Sequence, residues 1–378
     1  MLSLSAEQEM IVDSLRDLAE SEFAEKACEW QGEMPWENFR TLADRGYLGM
    51  EISEEYGGGG LSEMEALLLL EVVGRVCPDT AYKLASHNMI PSRAIDMFGS
   101  EALKEKYLPG LVAGEDAVIT AISEPEAGSD VANMGTTVEE RNGELVMNGE
   151  KLWVSGVPDA RATVVWVKFD DGLGSVVMDL DADGVEIGEH FTNMMGYTQT
   201  QFFMHDVVVP EDHVLVRGRD AFKEQLKSLN WERVFLAGMS NAVALCAMDK
   251  ALAYATDREQ FGQPIGDFQG IEWKLADQAT EIELSRAYVH QLAQQARETG
   301  EPPDRMAASI AKLHSARMIE QVVSEALQVH GANGYQQGHP LEYLYRFARA
   351  RRIAGGTDEI VKNQIASVLK EKGLPHLT

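Results

Sequence analysis

Val118-Ile119-Thr120-Ala121-Ile122 is the stretch on which the fold turns. Before it, apolar residues recur with a helical period; from it onward they fall in short β-branched runs with a period near two. The same texture returns at 144–147, 163–169, 174–180, 185–187 and 201–209. Arg141-Asn142-Gly143 and Ala182-Asp183-Gly184 supply turn residues between the runs, and Pro210-Glu211 closes the segment. These runs predict an antiparallel β-sandwich or barrel of about 100 residues.

Outward from that segment the pattern is helical on both sides. Ser5 is an N-cap candidate, with Gln8 completing a capping box. Met10, Ile11, Leu15, Leu18 and Ala19 follow at helical spacing, and a second helix starts after Pro35 and ends near Gly46. The run Gly57-Gly58-Gly59-Gly60 lacks the GxGxxG or GKS/T context of a phosphate loop and reads as a flexible turn between helices. Residues 61–113 are helical again, with a buried apolar segment at 64–76 and a break at Tyr107-Leu108-Pro109-Gly110-Leu111. On the C-terminal side, 233–256, 268–298, 304–331 and 339–349 each carry an apolar stripe, as a four-helix bundle requires. The expected fold class is α+β, multi-domain: an N-terminal helical domain at 1–113, a middle antiparallel β domain at 114–218 and a C-terminal four-helix bundle at 219–378.

Composition narrows the function. The 378 residues carry 33 basic and 61 acidic side chains, a net charge of −28. That balance argues against nucleic acid or an anionic membrane as partner, because both select basic patches. Cys28, Cys77 and Cys246 are odd in number and scattered, without CxxC or metal-ligand spacing. They read as reduced structural thiols, and no metal site is expected. No secretion signal and no run of about 18 apolar residues is read, so a cytoplasmic protein without a membrane span is expected.

Five stretches carry candidate chemistry. Ala121-Ile122-Ser123-Glu124-Pro125-Glu126-Ala127-Gly128-Ser129-Asp130 takes a strand into a loop with two hydroxyls and a glycine that admits close approach of a ligand; a plain turn is the alternative. Asn148-Gly149-Glu150-Lys151-Leu152-Trp153-Val154-Ser155-Gly156 places an aromatic at a strand end, to fill the core or to cover a flat ring. Asp257 through Gln269, Leu327 through Tyr335, and Arg352-Ile353-Ala354-Gly355-Gly356-Thr357-Asp358 read locally as helix ends. Upstream, Leu229-Asn230-Trp231-Glu232-Arg233 sets a carboxylate beside an arginine, which taken alone reads as a charge capping a helix start. His87 has no partner at catalytic spacing and reads as structural or cavity-lining.

Together, in this order and this helix–sheet–helix frame, the five stretches resemble the acyl-CoA dehydrogenase family over essentially the whole chain. The resemblance implies FAD as cofactor. Ile122, Ser123, Gly128 and Ser129 would contact isoalloxazine or pyrophosphate, with Trp153 and Ser155 flanking the ring. Arg258, Phe261 and Gln269 match the element that reaches FAD across a subunit interface, Gln328 and Gly331 the element near the adenine end, and Thr357 the threonine of the Gly-Thr loop. A homotetramer follows from such shared sites. Ala332 replaces a glycine of the fourth motif, and Phe347 follows Arg346 where an acid is frequent.

The departure that bears on chemistry is Gly355, which stands where many members carry the catalytic glutamate. A second family arrangement, as in isovaleryl- and long-chain acyl-CoA dehydrogenases, supplies the base from a Glu immediately before an Arg, matching Glu232-Arg233 here. The resemblance therefore implies dehydrogenation of an acyl-CoA in fatty acid metabolism. Glu232 would remove the α-proton, the Gly355 N–H would hold the thioester oxygen, and flavin N5 would accept the β-hydride. Arg233, and Ser129 beside it in role, would touch the substrate, with an ion pair to a nearby carboxylate as the alternative for Arg233. An electron-transfer flavoprotein would be the redox partner. The same residues would serve an enoyl-CoA reductase of the crotonobetainyl-CoA type or a dehydrogenase of a carrier-protein thioester. A non-catalytic flavin scaffold sits poorly with Glu232, and a ferritin-like metal bundle lacks its ExxH pairs.

Overall fold

The computed structural model describes residues 4–374. Six helices come first: α1 (Ala6–Leu18), α2 (Trp36–Asp44), α3 (Glu63–Val76), α4 (Pro78–Lys83), α5 (Ile90–Phe98) and α6 (Glu101–Val112). Strands β1 (Val118–Ala121), β2 (Thr137–Arg141), β3 (Glu144–Ser155), β4 (Ala162–Phe169), β5 (Gly172–Asp179), β6 (Val185–Thr192), β7 (Thr198–Val209) and β8 (Val214–Val216) follow. The remainder is α7 (Arg219–Asp257), a hairpin of β9 (Glu259–Gln260) and β10 (Gln263–Pro264), α8 (Gln269–Thr299), α9 (Arg305–His330), α10 (Pro340–Ala350) and α11 (Asp358–Lys372). The chain divides into two compact units. One, the helical unit, takes the chain through Glu29, Leu67–Ala81 and the chain from Asn230 onward; the sheet unit takes Trp30–Ala66 and Tyr82–Leu229.

In the sheet unit the strand order is β6-β7-β3-β2-β4-β5-β8, with β1 on β4. Pairing is antiparallel except that β1 and β2 each run parallel to β4. β4 reads as a continuous apolar run because both of its faces are covered. Val165, Val167 and Phe169 join Met147, Val176, Phe202 and Met204 in one cluster, while Ala162 and Val164 join Ile95, Leu103, Leu108 and Leu111 of α5 and α6 in another. The β2–β3 hairpin turns on Asn142 and Gly143, with φ of 56° and 86°. Two successive left-handed residues are what a tight hairpin turn needs, so the Asn-Gly signal was sufficient. β2 and β8 were not expected: β2 carries three charges in five residues, and β8 spans three residues.

Two readings in this unit need correction. Pro109 does not break α6; the helix runs through it to Val112. The proline lies on the exposed face, where water can satisfy the freed carbonyl, while Tyr107, Leu108 and Leu111 anchor the buried face. The glycine run is not a flexible turn. Gly58, Gly59 and Gly60 donate their N–H groups to Ser53, Gly49 and Ile52 carbonyls at 3.1, 3.1 and 2.8 Å. A Cβ on Gly58 would lie 2.2 Å from the Ile52 oxygen, so glycine is there to let backbone pack on backbone.

The helical unit begins with the expected capping box: Gln8 N–H donates to Ser5 Oγ at 3.2 Å and Ser5 N–H to Gln8 Oε1 at 3.0 Å. The paired stretches of α3 and α7 approach closely because they present glycine to each other: a Cβ on Gly74 would lie 2.8 Å from Ala242 Cβ, and one on Gly238 2.2 Å from Leu67 Cδ1. Cys28, Cys77 and Cys246 are free and buried. α9 is the central helix, contacted by α8, α10 and α11. Two expectations change. α7 begins at Arg219, not near 233, so Glu232 and Arg233 do not cap a helix start. And α11 packs on α9 as a fifth helix where four were counted, because its apolar positions are sparse (Val361 and Val368 among its buried residues). α7 is also long and apolar enough to cross a membrane by length and composition, but its most apolar stretch is mostly buried within the protein, as in a core helix.

Inside the sheet unit, Lys151 is fully buried and donates to Glu124 Oε1 at 2.7 Å. Burial alone would raise the Glu124 pKa; hydrogen bonds from Lys151, Thr136 and the Gly135 N–H outweigh it and hold it below the usual carboxylate value. The charge partner is therefore present at neutral pH and is lost only on strong acidification. Glu124→Ala should cost about 3–5 kcal/mol by stranding the Lys151 ammonium, and Glu124→Ala/Lys151→Met should recover a large part. Urea midpoints check this; a single variant as stable as the parent would refute it.

Candidate active site

In the helical unit, α7 carries Glu232 on the side facing the loop after α10. Gly355 lies in that loop with φ +69°. A Cβ built on Gly355 would lie 3.8 Å from Glu232 Oε1, 3.8 Å from Lys312 Cε and 2.5 Å from Leu236 Cδ1. The carboxylate thus occupies the neighbourhood that a side chain at 355 would fill. Glu232 keeps part of its surface open, yet its carboxyl is set deep among protein atoms. That burial raises its pKa above the ordinary carboxylate value, against the opposing pull of Arg233 and Lys312.

Arg233 is buried, and its Nη1 donates to Asn230 Oδ1 at 3.3 Å. Asn230 in turn donates to the Pro303 carbonyl at 2.9 Å. Among the described residues no carboxylate lies within ion-pair distance of Arg233, so the ion-pair alternative does not hold. Burial lowers its pKa. The Thr357 hydroxyl caps α11, accepting from Ile360 N–H at 3.3 Å, which leaves its own O–H to donate. Lys312 of α9, which sequence reading passed over, is 2% exposed and donates to the Gly356 carbonyl. Its signal was a lysine set between Ala308, Ala311, Ser315 and Ala316 on the apolar face of a helix.

In the sheet unit, the loop from Ile122 to Asp130 is bound to β3. The Ile122 carbonyl accepts from Lys151 Nζ at 3.2 Å and the Ser123 carbonyl from Leu152 N–H at 2.9 Å. Gly128 and Ser129 are exposed, and a Cβ on Gly128 would meet no atom within 4 Å. Trp153 is 50% exposed at φ +62°, where β3 bulges between Lys151 and Val154, and its ring lies 4.9 Å from that of Phe191. Ser155 is half-buried at the strand end. Beside it, Gly156 packs on the buried His87, which is hydrogen-bonded to Ser86 Oγ (2.7 Å) and Lys83 Nζ (3.3 Å).

The remaining candidates lie on exposed surface of the helical unit. Arg258 and Phe261 belong to the β9–β10 hairpin and Gln269 starts α8; Phe261 is 96% exposed at φ +53°. Gln328 and Gly331 end α9, and a Cβ on Gly331 would meet no atom within 4 Å. The structure therefore joins Glu232 to Gly355, and Ile122 and Ser123 to the strand bearing Trp153. It leaves Arg258, Phe261 and Gln269 turned to solvent.

Comparison with known proteins identifies the family. Residues 5–115, 120–207 and 221–370 match, respectively, the N-terminal, middle and C-terminal domains described for acyl-CoA dehydrogenases. The chain is 33% identical to the probable acyl-CoA dehydrogenase YngJ of Bacillus subtilis (strain 168), over 97% of this chain and 98% of that protein. It is 30% identical to the CarC subunit of the caffeyl-CoA reductase-Etf complex of Acetobacterium woodii, over 97% and 99%. Among solved structures, a glutaryl-coenzyme A dehydrogenase in complex with glutaryl-CoA superposes with a TM-score of 0.92 at 27% identity, covering 99% of this chain and 97% of that one. The chain belongs to the acyl-CoA dehydrogenase family of flavin-dependent oxidoreductases, whose cofactor is FAD.

Proposed function

We propose that the protein dehydrogenates an acyl-CoA thioester to the trans-2-enoyl-CoA with Glu232 as base. The observation that carries this reading is the Glu232 carboxyl 3.8 Å from the vacant Cβ position of Gly355. The α-proton passes to Glu232, whose burial strengthens it as a base. The Gly355 N–H holds the thioester oxygen as negative charge develops there, and glycine provides that donor without occupying the base's space. Arg233, with its guanidinium turned inside on Asn230, acts as a counter-charge to Glu232 more than as a substrate contact.

The residues present fit FAD. Trp153 offers an exposed aromatic face, and Gly128 leaves open space in front of its backbone. Ile122, Ser123, Gly128, Ser129, Trp153 and Ser155 would hold the isoalloxazine and pyrophosphate. Arg258, Phe261, Gln269, Gln328 and Gly331 would hold the adenine end, with Phe261 seated on a neighbouring copy in a homotetramer; a phenylalanine 96% exposed supports that reading. When bound, FAD supplies the two-electron acceptor for the β-hydride. The relative named as a caffeyl-CoA reductase-Etf complex subunit favours a second reading, in which the protein runs as an enoyl-CoA reductase. The same name supports an electron-transfer flavoprotein as partner.

An anaerobic titration of the oxidised enzyme with saturated acyl-CoAs should bleach the flavin band; bleaching by none of them, with enoyl-CoA reoxidising the reduced enzyme, selects the reductase. Glu232→Gln should retain flavin and lose about 10²–10⁴-fold in turnover, and normal turnover would sink the base assignment. Because the base works ionised and its pKa is raised, kcat/KM should fall as pH drops through a midpoint above the usual carboxylate range. That limb should vanish from the residual activity of Glu232→Gln. Arg258→Ala should weaken flavin retention and assembly together, read by flavin content and sedimentation velocity; full retention of both would contradict a shared site.

A further inference from the structure

Lys312 stands in the helical unit beside the base and is given no part in the reaction above. It is 2% exposed on α9. A buried ammonium needs a partner. Among the described residues no carboxylate lies within ion-pair distance of it, and its hydrogen bond goes to the Gly356 carbonyl. Asp358, the acid at the start of α11, is already engaged by Arg317 at 3.1 Å and Arg352 at 2.9 Å. Lys312 Cε and Glu232 Oε1 each lie 3.8 Å from the vacant Cβ position of Gly355, so the two side chains flank one point.

The backbone at that point is free by nature. Gly355 and Gly356 have φ of +69° and +93°, a left-handed pair with many conformations open to it. Nothing on the glycines themselves fixes the direction of their peptide groups. We propose that Lys312 is a positioning residue: it clamps the Gly355–Gly356 turn through the Gly356 carbonyl and sets its positive charge against Glu232. The role in catalysis rests on Glu232 being the base; the clamp does not.

The charged groups facing Lys312 are Glu232 and Arg233 from α7, Arg351 after α10 and Asp358 from α11. Burial first, then the neighbouring arginines, bring its pKa down to about 8, against the pull of Asp358 and Glu232. The ammonium is therefore present below that pH and is lost as pH rises through it. Losing it removes the charge-assisted bond to Gly356 and the counter-charge that favours ionised Glu232.

The test uses the holoenzyme with Lys312→Met and Lys312→Arg. Hydrogen exchange followed by mass spectrometry should show severalfold faster exchange in the peptide spanning 351–358 for Lys312→Met, with protection regained in Lys312→Arg. Lys312→Met should lose about tenfold to a hundredfold in kcat through misplacement of the turn, with KM changed little. The acidic limb of its kcat/KM profile should move to higher pH. The parent should lose activity as pH rises through about 8, and Lys312→Arg, which stays charged, should not. Parental exchange in Lys312→Met overturns the clamp. An unmoved acidic limb in Lys312→Met, or an alkaline limb retained by Lys312→Arg, overturns the electrostatic part. Should Lys312→Met fail to fold, exchange and the alkaline limb in Lys312→Arg still decide. Normal turnover in Glu232→Gln would remove the base assignment, and exchange would then judge the clamp alone.

Discussion

One point organises the site: the Cβ position of Gly355, on which the side chains of Glu232, Leu236 and Lys312 converge. A Cβ at 355 would come within 3.8 Å of Glu232 Oε1 and 2.5 Å of Leu236 Cδ1. A larger residue could enter only by displacing Leu236 and crowding the carboxylate. Gly355 is also at φ +69°, where any side chain is strained. A side chain there would be strained by the backbone and would press on Leu236, so glycine suits this place, with the Glu232 carboxyl of α7 at contact distance from it. Two positions far apart in sequence carry a single structural decision.

Burying the Glu232 carboxyl has an electrostatic cost that the surroundings offset only in part. A carboxyl whose folded pKa lies above its unfolded value destabilises the fold at pH values above both, and the penalty fades as pH falls through the folded value. The chain accepts this at Glu232 while surrounding it with Arg233 and Lys312, themselves depleted of carboxylate partners. In a protein of net charge −28 this is a local inversion of sign. It leaves the carboxylate ionisable without neutralising it through a direct ion pair, which would lower its pKa.

Much of the fold was legible where local chemistry and tertiary packing agree. Ser5 with Gln8, Asn142 with Gly143, and the change of period at Val118 each specify a conformation within a few residues. Reading failed where packing overrides the local signal. Pro109 stays helical because its missing donor faces outward while its neighbours are buried. The four glycines read as loose because their composition is loose, and the carbonyls of Glu54, Ser53, Gly49 and Ile52 make them ordered. Glu232 read locally as a helix-start charge because the polar segment 219–228 hides the true start of α7 at Arg219. The family was legible through motif order, but Lys312 was not, since what distinguishes it is the carbonyl it meets across 44 residues.

The strand bearing Trp153 shows how a buried ion pair can position an exposed ring. In a regular strand Lys151 and Trp153 would point to the same face. Here Lys151 is fully buried and Trp153 is half exposed, because β3 bulges between Lys151 and Val154 and Trp153 takes a left-handed conformation. Such a conformation costs a bulky residue about 1–3 kcal/mol, so something must hold it. Lys151 does so by reaching both Glu124 Oε1 and the Ile122 carbonyl, while Leu152 N–H ties to the Ser123 carbonyl. The loop of Ser123 and the bulge of Trp153 are thus one hydrogen-bonded object. Their spacing is fixed by a charge pair inside the sheet unit, which makes Glu124 and Lys151 parts of the scaffold of the proposed flavin site.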